Sequence, residues 1–164
     1  MGRTSYLVAL GSNRRGHHGA PGDEVHAAID AIGASRRCSP ILSTPPLGPS
    51  IRRFANAAAW IESDESPPEL LARLKRIERA FGRRRGQRWG ARVIDIDIIL
   101  WSGGCWASTG LVVPHPRFRE RDFVLTPASA IAPDWRDPVS GRSLRQLAAR
   151  LAKPRKVDRR ARAA

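Results

Sequence analysis

The sequence predicts an α+β domain: a small, mainly antiparallel sheet with helices packed on it. Three observations carry that prediction. Short apolar runs alternate with stretches of helical spacing, in the order strand, helix, strand, strand, helix, strand. The helical stretches have legible ends, above all Ser66-Pro67-Pro68-Glu69 at a start and Gly82 at a stop. Residues 93–100, almost continuous in Val and Ile, read as a strand buried on both faces. At 164 residues the chain suits one domain, read as residues 1–152, with a basic tail at 153–164 read as disordered.

Taken in order, residues 6–10 form the first strand. Gly11-Ser12-Asn13 leads out of it, either as a plain turn or as the cap of a ligand site. His17 and His18 have no partner at metal-ligand spacing and read as solvated loop residues. Asp23 is a candidate N-cap for a helix carrying Val25, Ala28, Ile29 and Ile32, with Gly33 at its stop. Residues 38–43 form a second strand centred on Ile41 and Leu42. Three prolines make Thr44-Pro45-Pro46-Leu47-Gly48-Pro49 an extended loop. Residues 54–62 form the next strand, in which Asn56 is an unfavourable residue. Ser66 caps the second helix, Pro67 takes its first position, and Leu70, Leu74, Ile77 and Phe81 form its core stripe. After the strand at 93–100 come a turn at Trp101-Ser102-Gly103-Gly104 and the rigid Pro114-His115-Pro116. Helices at 122–130 and 143–152 complete the chain, the last with Leu144, Leu147, Ala148 and Leu151 on its apolar face.

The net charge of +14 is unevenly spread. Residues 73–92 carry nine Arg or Lys against one acid, Glu78, and residues 153–164 carry six against Asp158. A nearly neutral body with two basic zones attracts polyanions, whether nucleic acid, membrane phosphate or a nucleotide triphosphate. No apolar run approaches the ~20 residues of a membrane span, and the first apolar run is too short for a signal-peptide core. A cytoplasmic protein is expected. Cys38 and Cys105 are isolated in sequence and read as buried or free thiols.

The chemistry concentrates around Asp95 and Asp97, which interrupt the Val/Ile run. Alternation along a strand puts both carboxylates on one face, about 7 Å apart at Cα. Two like charges there require compensation by arginines, by divalent metal on oxygen ligands, or by both. The loop before them, residues 83–92, is basic, contains Trp89, and has glycines that leave it free to close. His115, held between prolines and followed by Arg121, is either structural or functional. Glu78 is either an ion-pair partner or an acceptor for a ribose hydroxyl.

Together these segments resemble the 6-hydroxymethyl-7,8-dihydropterin pyrophosphokinase family. The matching pieces run in the family's order: Ala9-Leu10-Gly11-Ser12-Asn13, the proline loop at 44–49, Phe54-Ala55-Asn56-Ala57, and Ile77-Glu78 with Gly82-Arg83. The most specific are Arg88-Trp89-Gly90-Ala91-Arg92-Val93-Ile94-Asp95-Ile96-Asp97 and Pro114-His115-Pro116 with Arg121-Asp122-Phe123-Val124-Leu125. The resemblance implies a ferredoxin-like two-layer sandwich, with which the alternation of elements agrees. It implies a reaction in which ATP gives its β,γ-diphosphate to the pterin hydroxymethyl group, leaving AMP. It implies two Mg²⁺ ions on Asp95 and Asp97, with Arg83 and Arg92 on the transferring group. Thr44, Leu47, Phe54, Asn56, Trp89 and Phe123 would bind the pterin. Leu71, Glu78, Ile98, Leu111, His115 and Arg121 would bind the nucleotide. ATP and a reduced pterin are the expected partners, with no membrane, no obligate nucleic acid and a monomeric chain.

The sequence also departs from the family pattern. Ala91 stands where the family usually has Pro, the loop from Arg83 to Trp89 is one residue shorter than in a representative member, and Gly110 replaces a basic residue that some members use on a nucleotide phosphate. The first loop is longer and more basic, and Arg14, Arg15 or Arg53 could supply the charge missing at Gly110. Two other functions remain open at this level: a nucleic-acid-binding module using the basic zones with Trp89 and Phe54, and an inactive scaffold of the same fold.

Overall fold

The computed structural model describes residues 2–44, 53–82 and 93–153. Its centre is β1 (Thr4–Ser12), which pairs antiparallel with β4 (Phe54–Ser63) on one side and β5 (Asp95–Trp101) on the other. On the far side of β4 lie β2 (Ser35–Cys38) and β3 (Leu42–Thr44), one beyond the other along the same edge. The order β2–β4–β1–β5, antiparallel throughout, is the ferredoxin-like arrangement. A hairpin of β6 (Trp106–Ser108) and β7 (Leu111–Val113) follows β5, and its turn holds Gly110 at φ +78°. That backbone conformation suits glycine and gives Gly110 a structural reason to be there.

Helices α1 (Pro21–Ile32) and α2 (Pro67–Ala80) cover one sheet face through Val25, Ala28, Ile29, Ile32, Leu70 and Leu74. Tyr6, Val8 and Leu10 of β1 face them. Helices α3 (Asp122–Ile131) and α4 (Leu144–Ala152) cover part of the other face, meeting Leu7, Ala58, Ile99 and Leu100. The two-layer core therefore gains a third layer. Both cores depend on a bulge in β5. Leu7 pairs with Leu100 and Val8 with Ile98, so Ile99 is an extra residue. Ile96 and Ile98 consequently face α1 and α2, while Ile99 and Leu100 both face α3 and α4.

Ser66 caps α2 as expected, with its backbone N–H bonded to Glu69 Oε2 at 2.7 Å. Several expectations are corrected. β1 continues through Gly11 and Ser12, which are strand and not turn. Asp23 is not the N-cap of α1 but its third residue, reaching back to the Ala20 N–H at 2.9 Å. The strand expected at 38–43 is two strands, because Pro40 lacks the N–H a ladder needs; Ser39 bridges the gap through Ala58. The reading of Cys38 and Cys105 as buried or free thiols holds in its second form: both are free and exposed. Leu151, on the same face of α4 one turn beyond Leu147, is 39% exposed and so lies outside the buried core. His18 is engaged: its ring meets the fully buried Glu24 at 2.8 Å and stacks on Phe81. Among the described residues, no helix is long and apolar enough to cross a membrane.

Candidate active site

The site begins with strand register. Asp97 lies opposite Ala9, and Ala9 opposite Ala58; Asp95 lies opposite Gly11, and Gly11 opposite Asn56. Alternation puts all six on one sheet face. Large side chains at Ala9 and Gly11 would fill this face, as Leu7 does further along. With a methyl and a hydrogen there instead, the sheet keeps a trough of about 200 Å³. Its floor and sides come from Ala9, Gly11, Asn56, Asp95 and Asp97, with Thr44 and Phe54 at the β3–β4 end. The first turn of α3 overhangs it with Phe123 and Val124, and Arg121 precedes that turn.

The trough has two chemically different ends. On β5, Asp95 is exposed and Asp97 half-buried, so the acids open into the trough and not into the core. On β4, Asn56 is buried and donates from Nδ2 to Thr44 Oγ1 at 3.3 Å, which orients its amide. A Cβ on Gly11 would stand 3.0 Å from Asn56 Oδ1, so any larger residue here crowds the Asn56 amide. Phe54 and Phe123 supply aromatic faces, and the Arg121 guanidinium lies 5.7 Å from the Phe123 ring centroid.

His115 approaches from the β7 side. Its N–H donates to Ile99 O at 3.0 Å, and its Nδ1 accepts the Arg117 N–H at 3.1 Å. Burial pushes its pKa below the ordinary imidazole value, and the nearby Arg121 and Arg117 charges add to this while Asp97 opposes them. The ring is therefore neutral at pH 7. Because Nδ1 is an acceptor, the proton sits on Nε2, which is left as a donor.

Seven of the expected site residues meet in the trough: Thr44, Phe54, Asn56, Asp95, Asp97, Arg121 and Phe123. Others lie elsewhere. Glu78 is buried on the helix side of the sheet, accepting the Ile96 N–H at 2.8 Å and Lys75 Nζ at 3.1 Å. Ile98 and Leu111 are buried in the core on that same side, against which the half-buried Leu71 of α2 also packs, and α2, β5 and β7 are in contact there. Leu47, Arg83, Trp89 and Arg92 fall outside the described residues. Sequence reading did not assign Ala9, Gly11, Ser12 and Asn13 as lining residues, although they were part of a recognised segment. The available signal was two small residues, two apart, in an otherwise bulky strand.

Among the described residues, no three His, Cys, Asp or Glu side chains gather at metal-binding distance. Two carboxylates facing one trough still suit a hard divalent cation of the Mg²⁺ type. Such an ion uses one or two protein carboxylates and takes its remaining ligands from water and substrate phosphates.

The fold has counterparts among solved structures. The crystal structure of wild-type Plasmodium falciparum HPPK-DHPS with STZ-DHP superposes with a TM-score of 0.70 at 12% identity, covering 91% of this chain and 43% of that one. That likeness defines the class of fold: an antiparallel sheet flanked by helices.

Sequence comparison is more specific. The model of the 7,8-dihydro-6-hydroxymethylpterin-pyrophosphokinase (HPPK) family matches residues 7–133. The 2-amino-4-hydroxy-6-hydroxymethyldihydropteridine pyrophosphokinase of Pseudomonas aeruginosa is 38% identical over 148 residues, 87% of this chain and 88% of that protein. That of Synechocystis is 40% identical over 111 residues, 68% of this chain, and the match spans 57% of the relative's length. The chain belongs to the HPPK family, whose reaction transfers diphosphate from ATP to hydroxymethyldihydropterin.

Proposed function

We propose that this chain carries out the family reaction in the trough between β5 and β4. The supporting observation is the register: Asp95 and Asp97 share one face with Asn56 across the small floor of Ala9 and Gly11. A flat pterin fits between Phe54 and Phe123, with its hydrogen-bonding edge toward Asn56 and Thr44; the family pattern adds Leu47 as a pterin contact. Its hydroxymethyl group then points at the aspartates. The hydroxyl oxygen attacks the β-phosphorus of ATP, the bond from that phosphorus to the α,β-bridging oxygen breaks, the hydroxyl proton is released, and AMP leaves.

Asp95 and Asp97 are the residues that would hold Mg²⁺, two ions in this reading. When bound, the metal neutralises triphosphate charge and brings phosphate and alcohol together. Neutral His115 donates from Nε2 and Arg121 from its guanidinium to phosphate oxygens, bonds that are stronger for being charge-assisted. Arg83 and Arg92 act on the transferring group, and Trp89 excludes water that would compete with the pterin hydroxyl. Leu71, Ile98, Leu111 and Glu78 place the nucleoside end near the junction of α2, β5 and β7.

The test is AMP formation from ATP with reduced pterin and Mg²⁺. The expected result is AMP that requires both pterin and metal and falls on the order of 10³-fold in Asp97→Ala. Pterin-independent AMP, or an Asp97→Ala protein as active as wild type, would overturn the reading.

A further inference from the structure

The segment from His115 to Arg121 has two anchors. At its start, the His115 N–H is bonded to Ile99 O of β5. In its middle, a 3-10 turn (Phe118–Glu120) buries Phe118 fully and sends Arg119 away from the trough. The Arg119 guanidinium meets Asp137, donating from Nε to Oδ2 at 2.6 Å and from the second nitrogen to Oδ1 at 2.7 Å. Asp137 is fully buried, and its oxygens also accept the Val139 N–H at 3.0 Å and Ser140 Oγ at 2.6 Å. The Arg119 guanidinium sits over the Phe118 ring, 4.6 Å from its centroid. A forked pair with every carboxylate oxygen engaged holds direction as well as distance, in a way a lysine could not copy.

What the pair joins makes it more than a local brace. Asp137 belongs to the link between α3 and α4, and Leu144 at the start of α4 is fully buried. Arg119 is two residues from Arg121, whose carbonyl accepts the first helical N–H groups of α3, from Val124 and Leu125. Rotation of the 3-10 turn would displace Arg121 relative to His115 and carry Phe123 with it at the start of α3, whereas Phe54, Asn56 and Thr44 are set by the β3–β4 ladder.

We propose that Arg119 and Asp137 are positioning residues that hold His115 and Arg121 in register for the triphosphate, without touching substrate themselves. This rests on the reading of His115 and Arg121 as phosphate ligands.

The experiment is calorimetric binding of Mg²⁺·α,β-methylene-ATP and, separately, of the reduced pterin. The proteins are wild type, Asp137→Asn, Arg119→Gln, the double variant and Arg121→Ala. Asp137→Asn is nearly isosteric and its amide oxygen keeps one acceptor, for the Val139 N–H, so it serves where Arg119→Gln folds poorly. Nucleotide affinity is expected to fall on the order of tenfold in either single variant, the lower end of what is lost with a partner that orients a binding group. The double variant is expected to be no worse than the weaker single one, as for residues acting as a unit. Pterin affinity is expected to fall clearly less than nucleotide affinity, because of its contacts only Phe123 follows Arg121.

Unchanged nucleotide affinity in a folded Asp137→Asn protein, additive losses, or an equal loss of pterin affinity would each overturn the proposal. If Arg121→Ala also binds the nucleotide normally, the phosphate-ligand reading fails. If only Arg121→Ala weakens binding, that reading stands and the positioning role fails.

Discussion

Glu78 accepts the Ile96 backbone N–H at 2.8 Å, closing the outer edge of β5 midway between Asp95 and Asp97. β5 is the last strand of its sheet, and an edge strand with an open ladder is free to shift. A carboxylate from α2 bonded at Ile96 keeps the Ile96 side chain in the helix-side core and both aspartates on the opposite face. Removing the acceptor leaves a buried N–H unpaired. Glu78→Ala is therefore expected to cost about 1–3 kcal/mol in urea unfolding. Glu78→Gln, which keeps an acceptor, is expected to lose less. Equal stability in all three proteins would contradict this role.

Asp95 and Asp97 line the trough, and Asp97 is half-buried there. Asp97→Ala is expected to lower AMP formation on the order of 10³-fold, the scale of a lost electrostatic group at a reacting centre. Its unfolding free energy should stay within about 0.5 kcal/mol of wild type. Chelation of Mg²⁺ should silence wild type to the same degree. Residual activity in excess chelator would argue against metal at these carboxylates.

Gly11→Ala puts a methyl 3.0 Å from Asn56 Oδ1, inside van der Waals contact. Asn56 must then move off Thr44, or β1 must shift. A cost of about 1–3 kcal/mol is expected, as for overpacking. It should appear mainly as a raised KM for the pterin, with the KM for ATP nearly unchanged. Steady-state kinetics with each substrate varied separately distinguishes the two.

Asp137 provides a pH signature of the fold. Burial alone would raise its pKa, but hydrogen bonds from Arg119, Ser140 and the Val139 N–H, with the Arg119 charge, hold it at about 2. An unfolded aspartate titrates near 3.9. The folded value is the lower one, so the stabilisation is complete above about pH 4 and is lost as pH falls through about 2. It amounts to about 2 kcal/mol at neutral pH. Urea unfolding from pH 5 to pH 2 should show a loss of that size in wild type that is absent in Asp137→Asn. Parallel curves for the two proteins would remove Asp137 as the source.

The sequence by itself determined whatever depends on neighbours along the chain. The capped start of α2 at Ser66 follows from local spacing, as does the shared face of Asp95 and Asp97. Sequence motifs likewise singled out Thr44, Phe54, Asn56, Arg121 and Phe123, and the fold brings them to one trough. Other features needed the assembled sheet. Only the pairing of β1 with β4 and β5 puts Ala9 and Gly11 under the acids and makes their smallness a cavity. Only the packing of α2 on β5 turns Glu78 toward a backbone N–H, and only the return of the chain past α3 brings Asp137 to Arg119. Local patterns record the period of a helix or strand, whereas register and close approach are agreements between segments far apart in sequence, settled only when the core closes.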